Sequence, residues 1–103
     1  MNTKTETKPF DAAEYINTPE SAAAILEDAL ETGNASYVAH VLGILARSKG
    51  MKAVAEKAGL GRESLYKGLK EGGNPQLETV LKVVNALGLK LTTSPAAPAD
   101  VAA

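Results

Sequence analysis

The sequence contains no cysteine and no tryptophan, and its 103 residues include only one histidine, one phenylalanine and three tyrosines. Without cysteine the chain can form neither a disulfide framework nor a thiolate metal site. The single His40 has no second histidine with which it could complete a metal site. No serine lies within a recognisable nucleophile motif. These absences argue against an enzyme, and they predict a protein without a metal or other cofactor.

Long hydrophobic runs are also missing. Lys4, Glu6 and Lys8 interrupt the first residues, so no secretory signal is predicted, and no run approaches the roughly 20 residues that a membrane-spanning helix needs. We therefore expect a cytoplasmic protein with no membrane partner. A length of 103 residues and a hydrophobic content of 45% suffice for one domain with a modest core. Many alanines and few aromatics favour small helices that pack closely.

The charge of the chain is distributed unevenly. The formal net charge is only −1, but residues 1–35 sum to −5 and residues 47–70 sum to +5. Such asymmetry suggests two different partners. The basic segment suits phosphates. The acidic segment suits a basic protein, or it is simply a solvated surface, and both interpretations stay open.

Apolar residues repeat at helical spacing over most of the chain, which predicts an all-α fold of five helices. Thr18 followed by Pro19 is typical of a helix start, and Gly33 ends this N-terminal helical extension. A second helix is predicted from its cap at Asn34 to Gly50.

The last helix is predicted to be capped by Asn74 and opened by Pro75. Its inward face is expected to consist of Leu77, Val80, Leu81 and Val84. After Gly88, alternating residues from Leu89 to Thr93 predict a short strand. Because an all-helical monomer offers such a strand no partner, Leu89 and Leu91 are predicted to form a dimer edge, although they could instead cap the core.

We expect a single domain over residues 10–93, with disordered segments at 1–9 and 94–103. Phe10 and Tyr15 are the first residues able to anchor the start of this domain to its core.

The segment from Met51 to Leu69, MKAVAEKAGLGRESLYKGL, is the most informative part of the sequence. Ala55 is small enough for two helices to cross closely, and Gly59 tolerates the positive φ of a sharp turn. This layout is typical of a helix-turn-helix, whose second helix would present outward-facing residues to the major groove of DNA. Those residues are Arg62, Tyr66, Lys67 and Lys70. A purely structural helical corner could turn on the same glycine, but the basic residues around the motif favour DNA binding.

This segment and the following GNPQLETVLKVVNALGLKLT together resemble the Xre/Cro-type helix-turn-helix domain. With the upstream FDAAEYINTPESAAAILEDALETGN, the chain is similar more narrowly to the probable addiction-module antidote proteins, the HigA-type antitoxins of bacterial toxin–antitoxin pairs. The resemblance covers Phe10 to Thr93. It implies a homodimer that represses its own operon by binding a palindromic operator in double-stranded DNA. It also implies neutralisation of a small, basic RelE/ParE-like toxin.

By this resemblance the exposed face of the recognition helix consists of Arg62, Glu63, Tyr66, Lys67 and Lys70. Arg62 and Lys67 would donate to guanine or to phosphates, and Tyr66 would contact a thymine methyl or a phosphate. Glu63 would accept from cytosine N4, or it would merely favour the helix dipole. Lys52, at the start of the preceding helix, would face the phosphate backbone, where the family often has a short polar residue such as glutamine.

The acidic N-terminal half would then bind the toxin, with Glu27, Asp28 and Glu31 as the candidate contacts. Two alternatives stay open. One is an ordinary Xre-type repressor without a toxin partner, and the other is a structural adaptor whose basic face binds RNA or a protein. A reading frame for a small basic protein beside the gene of this chain would favour the antitoxin interpretation.

Overall fold

A computed structural model describes residues 18–70 and 72–96, and these residues form five α-helices and no strand. The helices are α1 (Pro19–Glu31), α2 (Ala35–Lys49), α3 (Met51–Ala58), α4 (Arg62–Leu69) and α5 (Leu77–Ala86). The predicted all-α fold of five helices is therefore confirmed for this part of the chain. Phe10 and Tyr15, and the predicted disordered residues 1–9 and 97–103, lie outside the described residues.

The first two helices start where their capping residues predict. The Thr18 hydroxyl accepts a 3.1 Å hydrogen bond from the backbone N–H of Ser21, and Pro19 occupies the first position of α1. In the same way the side-chain oxygen of Asn34 accepts a 3.0 Å hydrogen bond from the backbone N–H of Tyr37 at the start of α2. Each cap satisfies one of the backbone donors that a helix start leaves unpaired.

The core is built around α2, which packs against each of the other four helices. The largest fully buried side chains of the core are all aliphatic: Leu42, Leu45, Leu65, Leu69, Val54 and Val83. Tyr37 and Tyr66 are both more than two-fifths exposed, so no aromatic ring of the described residues belongs to the core. The scarcity of aromatics is thus accommodated by helices that pack through small and aliphatic residues.

The last helix begins later than predicted and is rotated about its axis. Its N-cap is Gln76 rather than Asn74. Leu77 is 70% exposed and Leu81 is 47% exposed, so the prediction that both face inward is wrong. Val80 and Val84, which were also predicted to face inward, do pack against or within the core, and Val83 is buried beside them. Apolar residues occupy more of α5 than the core can cover, and the sequence pattern therefore did not determine which of them turn inward.

The segment that follows α5 is not a strand. The backbone N–H of Leu89 donates to the carbonyl of Val84 at 3.0 Å, and the Leu89 side chain packs against the core. Leu91, by contrast, is 37% exposed. The predicted strand over 89–93 is not seen in the single chain, whose described residues contain no second strand to pair with it. A dimer role for Leu89 and Leu91 stays a prediction.

Candidate nucleic-acid interface

Residues 59–61 form the tight turn that joins α3 to α4. Gly59 is in the left-handed region, with φ 71° and ψ 32°, as the sequence predicts. Its backbone N–H donates to the carbonyl of Glu56, and the N–H of Leu60 donates to the carbonyl of Ala55 at 2.9 Å. This pattern closes the end of α3 and satisfies its last carbonyls. Gly61, whose backbone is extended, is the N-cap of α4 and makes no side-chain capping hydrogen bond. Backbone hydrogen bonds therefore hold the turn.

The position of α4 is fixed at its other end by α2. Leu65 and Leu69, which belong to α4, are fully buried. At Gly43, in the middle of α2, a Cβ atom would lie 2.5 Å from the carbonyl oxygen of Leu69, closer than real Cβ contacts allow. Only glycine permits this approach of α2 to the end of α4. The residues predicted from the sequence do not include Gly43, because a glycine within a helix carries no signal of which distant element it contacts.

The side chains that the sequence predicts on the outer face of the recognition helix are all exposed. Arg62, Glu63, Tyr66 and Lys67 lie on α4, and Lys70 directly follows it. The guanidinium carbon of Arg62 lies 6.0 Å from the centroid of the Tyr66 ring, at the outer limit of a cation–π contact. Cations, an acid and an aromatic ring therefore share one solvent-facing surface.

Ser64 belongs to the same surface, although the residues predicted from the sequence do not include it. Two shallow depressions of about 470 and 560 Å³ lie along α4, and Ser64 lines both of them. Its exposed hydroxyl can donate and accept a hydrogen bond. Helical spacing could have identified Ser64, because it precedes Lys67 by three residues and so neighbours it on the helix surface.

The cations around this turn all face solvent. All seven lysines and arginines between residues 47 and 70 are exposed: Arg47, Lys49, Lys52, Lys57, Arg62, Lys67 and Lys70. None of them forms an ion pair with another residue of ranges 18–70 and 72–96, where the one ion pair joins Glu78 and Lys82 at 3.2 Å. Lys52 lies in the first turn of α3. The basic charge is therefore free to meet an anionic partner.

The acidic residues singled out from the sequence lie on a different helix. Glu27, Asp28 and Glu31 are exposed on α1, which also carries Glu20 and contains no lysine or arginine. None of these carboxylates is paired with a cation in the described part of the chain. The acidic residues of α1 thus lie on a different helix from the cations of α3 and α4.

The described residues hold neither a metal-binding cluster nor a membrane-spanning helix. They contain no group of three or more histidine, cysteine, aspartate or glutamate side chains that could hold a metal ion. Within the same ranges, no helix combines the length and the hydrophobicity that crossing a membrane requires.

Fold and surface together define an all-helical protein that presents a cationic helix beside a glycine turn and carries an acidic helix elsewhere.

Comparison with known proteins is more specific: the chain belongs to the family of probable addiction module antidote proteins, whose family model matches residues 6–95. It is also similar to an uncharacterized protein of Haemophilus influenzae, with 40% identity over 83 residues that cover 81% of this chain and 86% of the relative. No solved structure matches the chain. The resemblance to the antidote family is confirmed. Membership supports an antitoxin role and implies a toxin partner.

Proposed function

We propose that this chain is the cytoplasmic antitoxin of a type II toxin–antitoxin system. In this proposal it neutralises a RelE/ParE-like toxin and represses its own operon by binding operator DNA. Helices α3 and α4 form an Xre/Cro-type helix-turn-helix, and α4 is the recognition helix. The observation that carries the DNA-binding part is the exposed, cation-rich face of α4, held in place by the turn at Gly59 and by the close approach at Gly43.

The side chains of α4 supply the chemistry that base reading needs. The major groove of B-DNA admits an α-helix, and arginine or lysine donates to the O6 and N7 acceptors of guanine. Arg62 and Lys67 are exposed on the outer face of α4 and are the proposed donors. Tyr66 can pack against a thymine methyl or bond a phosphate, and Glu63 can accept from cytosine N4. The Ser64 hydroxyl adds a donor for a phosphate or a base edge.

Phosphate contacts would come from cations beside the recognition helix. Lys70 follows the last residue of α4, and Lys52 lies at the start of α3. Each phosphate contact releases a condensed counterion, so these residues would raise the affinity for any DNA sequence and make it depend on salt.

A homodimer is proposed because two recognition helices reading a palindromic site bind far more specifically than one. We place its surface on α5 rather than on the segment after it, because Leu89 packs against its own core. Leu77 and Leu81 lie one helical turn apart and are the two most exposed large apolar residues of the described chain. The ion pair between Glu78 and Lys82 lies beside them. In a two-fold antiparallel pairing of α5 helices, the acid of one copy would approach the base of the other.

The toxin is proposed to bind the acidic surface of α1. RelE/ParE-like toxins are basic, and an unpaired acidic helix would attract such a protein by electrostatic steering. Glu27, Asp28 and Glu31 are the proposed contacts, since all are exposed and free of cationic partners in the described chain.

The test is co-expression of this chain with the product of the adjacent reading frame, combined with footprinting on the DNA upstream of its own gene. We expect relief of growth arrest and a protected palindrome. A protected palindrome without any relief of toxicity would instead identify an ordinary Xre-type repressor.

A further inference from the structure

A groove of about 240 Å³ lies between α1 and residues 88–92, which follow α5. Its α1 wall includes Ala23, Leu26 and Leu30, which follow one another at helical spacing. The other wall includes Leu89 and Leu91. The groove therefore runs along a helix that the proposed DNA-binding surface does not use.

The groove is apolar at its base and open at its mouth. Leu26 is 4% exposed, whereas Leu30 is 44% and Leu91 37% exposed. A volume of about 240 Å³ is several times the roughly 30 Å³ that one water occupies in the liquid. The space suits one large apolar side chain, whose entry would also remove the exposed faces of the two leucines from water.

The charge beside the groove restricts the partner further. Glu27 lines the groove, and Glu31 lies one turn further along α1 on the same side. Neither is paired with a cation of the described residues. Among the residues that the structure describes, Lys90 is the one cation that lines the groove. A partner that inserts an apolar side chain here would therefore bind more tightly if lysine or arginine flanked that side chain in its own sequence.

We propose that this groove receives a leucine- or phenylalanine-sized side chain from a basic segment of the toxin, while neighbouring cations of that segment pair with Glu27 and Glu31. The inference rests on the proposed antitoxin function and specifies the contact that neutralisation uses. The acidic wall favours a basic protein over DNA, whose phosphates it repels. A second copy of the chain fits this wall less well than a basic protein does. Its exposed α5 surface carries both an acid and a base, Glu78 and Lys82.

The test fills the groove without removing a core side chain. Ala23→Phe places a ring on the α1 wall, and Ala53→Phe is the matched control because it makes the same change at an exposed position of α3. The probe is the purified product of the adjacent reading frame, with binding measured by calorimetry and folding by thermal melting. We expect Ala23→Phe to weaken binding at least about tenfold, because the toxin side chain can no longer be buried. Ala53→Phe should bind like the unmodified chain.

A second pair of measurements keeps the test decisive if Ala23→Phe fails to fold. Glu27→Gln leaves the groove open and should weaken binding several-fold, with a smaller dependence of the affinity on salt. Because the chain has no cysteine, Thr92→Cys carries a single fluorophore at the groove, whose emission should change when the probe binds. Unchanged affinity and salt dependence for Glu27→Gln together with an unresponsive label would overturn the groove assignment, provided that the unmodified chain binds the probe. No binding by the unmodified chain would refute the proposed function itself.

Discussion

The guanidinium of Arg62 lies over the ring of Tyr66, one turn further along α4, with 6.0 Å between the guanidinium carbon and the ring centroid. At an exposed site such a cation–π contact stabilises by about 0.5–1 kcal/mol. We expect this contact to restrict the side-chain conformations of Arg62. The two residues should therefore contribute to operator binding as a coupled pair.

Coupling between these residues is measurable by a double-mutant cycle. Tyr66→Phe retains the ring and should keep the coupling with Arg62, whereas Tyr66→Leu should lose it, by roughly 0.5–1 kcal/mol in operator affinity. Binding is measured by fluorescence anisotropy with Arg62 present and with Arg62→Ala. Strictly additive effects of Tyr66→Leu and Arg62→Ala would show that the ring does not orient the arginine.

If the α4 cations read bases in the major groove of DNA, their removal should have a larger effect on operator affinity. Arg62→Ala and Lys67→Ala should each weaken operator binding by about 1–3 kcal/mol and relax the preference at one base pair. Lys90→Ala is the control, because it removes an exposed lysine outside α3 and α4. If the folded double variant of Arg62 and Lys67 bound the operator with unchanged affinity, α4 would not be the recognition helix.

A phosphate contact has a different signature. Lys52→Ala should weaken binding to operator and to random DNA alike, and it should reduce the slope of log K against log salt by about one. Titrations at several salt concentrations measure this slope. A loss confined to the operator would show that Lys52 reads sequence.

The close approach of α2 to α4 predicts a stability effect at Gly43. Gly43→Ala places its new Cβ 2.5 Å from the Leu69 carbonyl, and such overpacking should lower the free energy of unfolding by about 1–3 kcal/mol. Gly68→Ala is the matched control within α4, since its Cβ would meet Pro75 at an ordinary 3.4 Å. That control should be neutral or stabilising, because alanine favours a helix interior over glycine. Equal melting temperatures for the two variants would contradict the packing described here.

The dimer surface is tested by changing leucines that the core does not use. Leu81→Asp on α5 should give monomers in sedimentation and a large loss of operator affinity with little change in monomer folding, since Leu81 is 47% exposed. Leu91→Asp tests the interface predicted from the sequence and should leave the dimer intact. Monomers from Leu91→Asp and dimers from Leu81→Asp would move the interface to the segment after α5.

Local chemistry explains what the sequence could predict. Thr18 and Asn34 cap helices through contacts within three residues, and Gly59 meets a backbone need of its own turn, so each is readable from its neighbours. The outer face of α4 follows from helical spacing around the buried Leu65 and Leu69.

Features that depend on contacts between distant elements could not be predicted from neighbouring residues in the sequence. Gly43 matters because of Leu69, which lies 26 residues away in sequence. The outward orientation of Leu77 and Leu81 depends on how much of α5 the other helices cover. The groove beside α1 exists only once residues 88–92 return to that helix.

In the proposed function one small domain holds two separate surfaces, a basic one for the operator and an acidic one for the toxin. The most direct test is a growth assay with the triple variant Glu27→Lys, Asp28→Lys, Glu31→Lys, compared with Arg62→Ala. The triple variant should fold and bind the operator yet fail to protect cells from the toxin, because only exposed charges on α1 are reversed. Arg62→Ala should protect fully while binding the operator poorly. Full protection by the triple variant would refute a toxin site on α1 and place the toxin on another surface.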